Sequence, residues 1–299
     1  MKYYKAPGED RRLDAASRKS LRGSFAELSD GVTQYELRGP EQGDVAVFIG
    51  GLTVPLPFWD GLASELRAKG LRTLVLSLYG RGYSDRPRAR YDEALFVRQL
   101  AELTGRLGLT RPLHVVGTSM GALIAMAYTN RYPERVSTLT LIDAAGLRDR
   151  PPLPRWVLRS DLLTSFVARR SGRRLLDGHL GSEVRDPAKG AELAVMLRDA
   201  SRCEGSLHAV FDTLQHFPLH RRAELFRRTS ASGVPTMLLW GAEDHVTPID
   251  QFDRARTLLK PLESHVVDAC GHMPPFEHPG VVADRIGAFV ETHSERLDA

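Results

Sequence analysis

The stretch Gly117-Thr118-Ser119-Met120-Gly121 constrains the fold of this 299-residue chain more than any other. An apolar run ending in Val115-Val116 leads into it, and a small-residue run from Ala122 to Tyr128 leads out with helical character. A serine between two glycines at such a junction reads as a strained strand-to-helix turn, in which the glycines leave room for close backbone approach. The serine hydroxyl then stands clear of the sheet, over the N-terminus of the following helix, where backbone N–H groups face any anion that forms.

The rest of the chain alternates in the same way. Residues 24–28 and 32–37, separated by Ser29-Asp30-Gly31, read as an antiparallel hairpin. Apolar runs at 44–49, 72–78, 113–116, 136–142, 234–240 and 264–268 read as strands, and residues 58–69, 92–107 and 249–259 as helices, with a closing amphipathic helix to 292. From 148 to 233 the strands stop and only helical patterns remain, for example at 156–167, 191–199 and 206–214. The expected fold class is therefore α/β: a mostly parallel sheet with helices on both faces and an inserted helical cap over the strands' C-terminal edge. The expected organisation is a core of 23–147 and 234–299 with a cap of 148–233. Residues 1–22 read as a solvated tail or a loosely docked first helix.

Composition narrows the function classes. An apolar fraction of 42% and a charged fraction of 26% are those of an ordinary globule, and no apolar stretch reaches membrane-spanning length. The charged N-terminus has no signal-peptide core, so a cytoplasmic location is expected, with Cys203 and Cys270 as free buried thiols. The net charge of +4 comes from scattered arginines without interleaved aromatics, which gives nucleic-acid binding little support. The 148–233 span is the basic part, with sixteen Arg and Lys against ten Asp and Glu. Residues 79–87 form a Gly-rich turn that lacks the spacing and the Lys-Ser/Thr ending of a phosphate loop.

A serine hydroxyl is a poor nucleophile at neutral pH. It needs a base within hydrogen-bond reach, and the base needs a third group to hold its tautomer and its charge. Ser119, Asp244 and His272 each follow an expected strand, in the order Ser, Asp, His, and Gly241 and Gly271 are expected to let the acid and histidine loops turn sharply. Asp143 ends a neighbouring strand and is the alternative acid. His114 and His265 lie within strands and read as structural.

On these residues the chain resembles the α/β-hydrolase superfamily, in its serine hydrolase branch. The resemblance rests on Gly117-Thr118-Ser119-Met120-Gly121, on Trp240-Gly241-Ala242-Glu243-Asp244 with Pro248, and on Gly271-His272-Met273-Pro274 with Glu277 and Pro279. Residues 51–55 and 79–87 are similar to those of carboxylesterases and monoacylglycerol-lipase-like enzymes. The resemblance implies Ser119 as nucleophile, His272 as base, Asp244 as orienting acid, and an oxyanion hole from the backbone N–H groups of Leu52 and Met120. It implies no cofactor and no metal. The expected partner is a small-molecule carboxylic ester of small or medium acyl length, cleaved through an acyl-enzyme, with no nucleic acid and no stable membrane insertion; oligomeric state stays open. Other triad chemistries (C–C bond, thioester, amide, perhydrolase) and a non-catalytic binding protein are the alternatives. Two positions depart from the family pattern: Gly50 stands where His is common and Ser77 where Asp is common. Trp156, Val157, Leu162, Leu163, Phe166, Val195, Met196, Phe211 and Leu214 are the residues expected to wall an apolar acyl pocket.

Overall fold

The apolar runs of the sequence become the middle of one sheet. In the computed structural model, which describes residues 2–151, 153–179 and 183–294, a short helix α1 (Ala15–Arg18) precedes the hairpin β1 (Ser24–Leu28) and β2 (Gly31–Arg38). Then come β3 (Val45–Ile49), α2 (Asp60–Ala68), β4 (Arg72–Leu76), α3 (Glu93–Arg106), β5 (Leu113–Thr118), α4 (Met120–Arg131) and β6 (Val136–Ile142). Among the described residues five helices follow without a strand: α5 (Arg155–Leu158), α6 (Asp161–His179), α7 (Pro187–Ala200), α8 (Ser206–His216) and α9 (Ala223–Ser230). The chain closes with β7 (Thr236–Gly241), α10 (Asp250–Leu259), β8 (Glu263–Val267), α11 (Pro274–Glu277) and α12 (Pro279–Ser294).

The sheet order is β1-β2-β4-β3-β5-β6-β7-β8, antiparallel at β1, β2 and β4 and parallel from β4 to β8. Every residue of β5, β6 and β7 is buried, as expected of strands covered on both faces. Successive side chains of a strand point to opposite faces, and two cores result. Val47, Ile49, Val115, Leu139, Leu141, Leu238 and Trp240 pack on one side with residues of α3, α4, α9 and α10. Ala46, Phe48, Val116, Ile142, Met237 and Leu239 pack on the other with α2 and α12. Because β3 to β8 are parallel, the loops after them gather at one edge. Among the described residues no helix is long and apolar enough to cross a membrane.

Two features differ from the sequence expectation. Residues 1–22 were expected to be solvated or loosely docked, yet Tyr4, Ala6 and Glu9 are buried. The Glu9 carboxylate accepts the backbone N–H groups of Ala6, Gly205 and Leu207 at 2.7–2.8 Å, which ties the segment to the start of α8. Helix α9, inside the expected 148–233 insertion, packs instead on α4 and α10, with Leu225 and Phe226 in the main core. Residues 1, 152, 180–182 and 295–299, which fall within the expected tail, cap and core spans, lie outside the described residues.

Candidate active site

Ser119 occupies the turn between β5 and α4 with φ 55° and ψ −118°, a strained conformation for a residue with a side chain. Its neighbours make the turn possible. A Cβ on Gly121 would sit 2.0 Å from the Ile49 carbonyl oxygen, and one on Gly117 would sit 2.5 Å from the Gly121 oxygen, so no other residue fits at either position. The bend is held by Ser119 N–H donating to the Ile142 oxygen at 2.9 Å and by Ala145 N–H donating to the Ser119 oxygen at 3.2 Å. Ser119 stays half-buried while the residues on either side are buried.

His272, in the loop after β8, reaches this hydroxyl: Nε2 lies 3.0 Å from Ser119 Oγ. On its other side Nδ1 lies 2.7 Å from Asp244 Oδ2, in the loop after β7. His272 and Asp244 are both buried, at 2% and 3% exposure. An ionised carboxylate can only accept, so Nδ1 carries the proton and Nε2 is left to accept from the serine. Burial opposes the charge of Asp244, but its bonds from His272, Thr247 and the loop backbone win and hold the carboxyl below its ordinary range. Thr247 Oγ1 donates to Asp244 Oδ2 at 2.6 Å, and the N–H groups of Val246 and Thr247 donate to Oδ1 at 2.7 and 2.9 Å. Burial by itself depresses the His272 imidazolium; the hydrogen bond and charge of Asp244 outweigh it and raise His272 above its ordinary value.

Of the two candidate acids, Asp244 is the one that meets His272. Asp143 is fully buried after β6, with a left-handed φ of 45°. Its Oδ1 accepts the Gly241 N–H at 2.8 Å and its Oδ2 has no partner among the described residues. Burial, reinforced by the charge of Asp244, pushes its carboxyl well above the ordinary range, so it holds its proton to higher pH than an exposed aspartic acid. Asp143, Asp244 and His272 bring ligand atoms within 4.8 Å of one another, a spacing that a metal ion would also accept. Both ring nitrogens of His272 are already engaged, one by Asp244 and one by Ser119.

Gly241 and Gly271 are needed for close packing, and neither has a positive φ. A Cβ on Gly241 would lie 1.9 Å from the Gly271 oxygen, and one on Gly271 would lie 2.5 Å from the Glu183 oxygen. The acid loop, the histidine loop and the inserted segment thus touch through backbone. Glu277, buried at 2%, completes this joint by accepting Gly271 and Met273 N–H through Oε1 and Arg185 N–H through Oε2. Sequence reasoning assigned no role to Glu277 or to Thr247. Glu277 enters the sequence reading only as part of the motif around His272, five residues past it, and Thr247 only by standing three residues past the acid.

Leu52 lies in the loop after β3 and Met120 follows the serine. Among the described residues neither backbone N–H has an acceptor. A Cβ on Gly51 would be 3.7 Å from Ser119 Oγ, which puts the loop against the serine. The departure at Gly50 has a local cause, since a Cβ there would meet the Val54 side chain at 2.9 Å. Ser77 is buried and donates to Gln34 Oε1 at 2.8 Å, with Gly82 packed over it.

Next to this loop is a cavity of about 40 Å³ bounded by Thr53, Arg81, Leu176, Leu197, Leu207 and Val210, among others. None of the expected pocket-wall residues lines it. Trp156, Leu162, Leu163, Phe166 and Val195 are exposed, at 66%, 84%, 39%, 66% and 63%. Phe211 and Leu214 instead pack under Tyr4 and Ala6, and Val157 is buried. Helical periodicity gives a face but not which neighbour that face meets, and here the docked N-terminal segment takes part of it. His114 is a core residue as read, buried and 2.9 Å through Nδ1 from Thr138 Oγ1.

Residues 46–279 match the family described as alpha/beta hydrolase fold, and the chain belongs to that family. It is similar to a 2-hydroxymuconate semialdehyde hydrolase of Pseudomonas putida, 28% identical over 247 residues that cover 80% of this chain and 82% of that one. It is also similar to Lipase 1 of Psychrobacter immobilis, 23% identical over 257 residues covering 85% and 79%. Among solved structures, a thermophilic esterase from Thermogutta terrifontis matches with a TM-score of 0.76 over 91% of this chain and all of that one, at 21% identity, a likeness of fold.

Proposed function

We propose that this protein is a serine hydrolase of carboxylic esters with a small or medium acyl group. The observation that carries the reading is the continuous relay from Asp244 through His272 to Ser119, with bonds of 2.7 and 3.0 Å, ending on a serine in a left-handed turn at a helix start. Ser119 attacks the ester carbonyl as His272 Nε2 takes its proton, and the Asp244 carboxylate stabilises the imidazolium that forms. The free N–H groups of Leu52 and Met120 receive the oxyanion. His272 then returns the proton to the leaving alcohol, and a water activated by the same nitrogen cleaves the acyl-enzyme. Helices α5 to α8 act as the cap over this edge.

A fluorophosphonate probe followed by peptide mapping tests the reading without knowledge of the natural substrate. A single adduct on Ser119, and turnover of short p-nitrophenyl esters, are expected. A folded protein that gives neither is a binding protein on this fold. A second reading, hydrolysis of a C–C bond by the same three residues, is favoured by the likeness to the 2-hydroxymuconate semialdehyde hydrolase. Preference for a vinylogous keto acid over any ester would select it.

A further inference from the structure

Arg81 is buried at 3% exposure in the Gly-rich turn after β4, and its hydrogen-bond acceptors are all uncharged, the Asp212 carboxylate acting on it only through its charge. Burial lowers its guanidinium to about 9, which leaves it charged at neutral pH. A buried charge without a counter-ion is costly unless its donors are all used. Here the fork is spread over three elements. Nε donates to the Leu52 carbonyl at 2.7 Å, Nη1 to the Tyr79 carbonyl at 2.9 Å and Nη2 to Thr213 Oγ1 of α8 at 2.9 Å. The guanidinium also lies over the rings of Phe96 and Tyr91, 5.4 and 6.0 Å from their centroids.

Leu52 is the residue whose N–H is assigned to the oxyanion, and it follows Gly50-Gly51, two residues without side chains to restrict the loop. We propose that Arg81 is a positioning residue of the oxyanion loop, anchoring the Leu52 carbonyl, one Cα away from the Leu52 N–H, and coupling it to helix α8 through Thr213. The inference rests on the ester-hydrolase reading and adds to it what holds the donor in place where Gly50 supplies no side chain. A charge-assisted bond to a carbonyl is about twice as strong as a neutral one, so the Leu52 oxygen is held against rotation. Thr213 Oγ1 in turn donates to the Ala209 oxygen within α8 at 2.7 Å, so its orientation follows the helix. Displacement of α8 would release one arm of the fork and with it the loop, so the site is complete only when the inserted segment is seated.

The test compares Arg81→Met, Arg81→Lys and Thr213→Val with the wild type in p-nitrophenyl butyrate turnover and in the rate of Ser119 phosphonylation by a fluorophosphonate. In Arg81→Met, kcat and the phosphonylation rate are expected to fall about 10- to 100-fold with KM changed less than about twofold, because transition-state binding alone is lost. The acid limb of the pH–rate profile stays in place, since His272 and Asp244 are untouched; a general loosening of the fold would move it. Arg81→Lys recovers part of the rate through one bond, and Thr213→Val falls in the same direction by about three- to tenfold. Wild-type kcat in either Thr213→Val or a folded Arg81 variant overturns the assignment, as does a loss expressed only in KM. If Arg81→Met does not fold, Arg81→Lys and Thr213→Val decide. A wild type inert to both ester and probe sinks the hydrolase reading and the Arg81 assignment with it, whereas an active wild type with indifferent variants sinks the assignment alone.

Discussion

Asp244 Oδ2 lies 2.7 Å from His272 Nδ1 in a site from which water is excluded on both sides of the bond. The carboxylate therefore favours the imidazolium, and His272 is raised above its ordinary value near 6.5. His272 accepts the serine proton only when neutral, so the rate rises with pH through a midpoint above 6.5. Asp244→Asn removes the charge that stabilises the protonated ring. The acid limb moves to lower pH and kcat falls by about 10⁴, as the wrong tautomer is populated. A pH–rate profile of both proteins with an activated ester measures both effects; an unshifted limb would show that Asp244 does not set the base.

Asp143 gives a prediction of opposite character. Its carboxyl keeps its proton to higher pH in the folded protein than in the unfolded chain because burial, and then the charge of Asp244, push it up. The unfolded chain loses that proton near pH 4, so between there and the raised folded value the unfolded state binds fewer protons and stability falls as pH rises. Asparagine keeps the oxygen that accepts from Gly241 and has no proton to lose. Asp143→Asn should therefore leave kcat within about threefold and raise Tm more at pH 8 than at pH 5. Thermal melts at the two values check the sign.

The sequence pattern is legible wherever a residue's neighbours are set by the strand it ends. Ser119, Asp143, Asp244 and His272 all follow parallel strands, so topology alone delivers them to one edge. Continuous apolar runs and helical spacing likewise marked the elements of the core. What stayed hidden depends on partners distant in sequence. Glu9 sits in a segment rich in charge, and nothing local distinguishes it from its solvated neighbours; its partners, Gly205 and Leu207, are almost two hundred residues away. Arg81 reads as one arginine among many until Leu52 and Thr213 are brought beside it. The inserted helices show the same limit, because an apolar stripe such as Leu162 and Phe166 can face solvent while Leu176 and Leu197 line the cavity.

Two glycine substitutions separate geometric necessity from chance. At Gly121 an added Cβ would lie 2.0 Å from the Ile49 oxygen, backbone against backbone, and β3 would have to move off the start of α4. A cost of about 4 kcal/mol or more is expected, a large part of a stability of roughly 5–15 kcal/mol. At Gly105, within α3, nothing lies within 4 Å. Alanine there should stabilise by about 0.5–1 kcal/mol, since it restricts the unfolded chain and favours the helix. Denaturant melts of Gly121→Ala and Gly105→Ala should move in opposite directions; similar stability of the two would contradict the close approach at the turn.

Glu9 bonds make the N-terminal segment part of the fold. Its Oε2 accepts Ala6 and Gly205 N–H and its Oε1 accepts Leu207 N–H, so one buried carboxylate serves the first turn of α8, where anions are favoured. Around it, Arg11 pairs with Asp199 at 3.0 Å and Arg18 pairs with Asp85, so the segment spans the inserted helices and the Gly-rich turn. These ion pairs are partly exposed and contribute little each, whereas the buried carboxylate leaves three donors unsatisfied when it is removed. Glu9→Ala should cost about 2–3 kcal/mol, and Arg11→Ala about 1 kcal/mol or less. Because the loss falls first on the docking of residues 2–12, trypsin should cut after Arg11 and Arg12 several times faster in Glu9→Ala than in the wild type. Equal cutting rates would mean that the apolar contacts of Tyr4 and Ala6 hold the segment without the carboxylate.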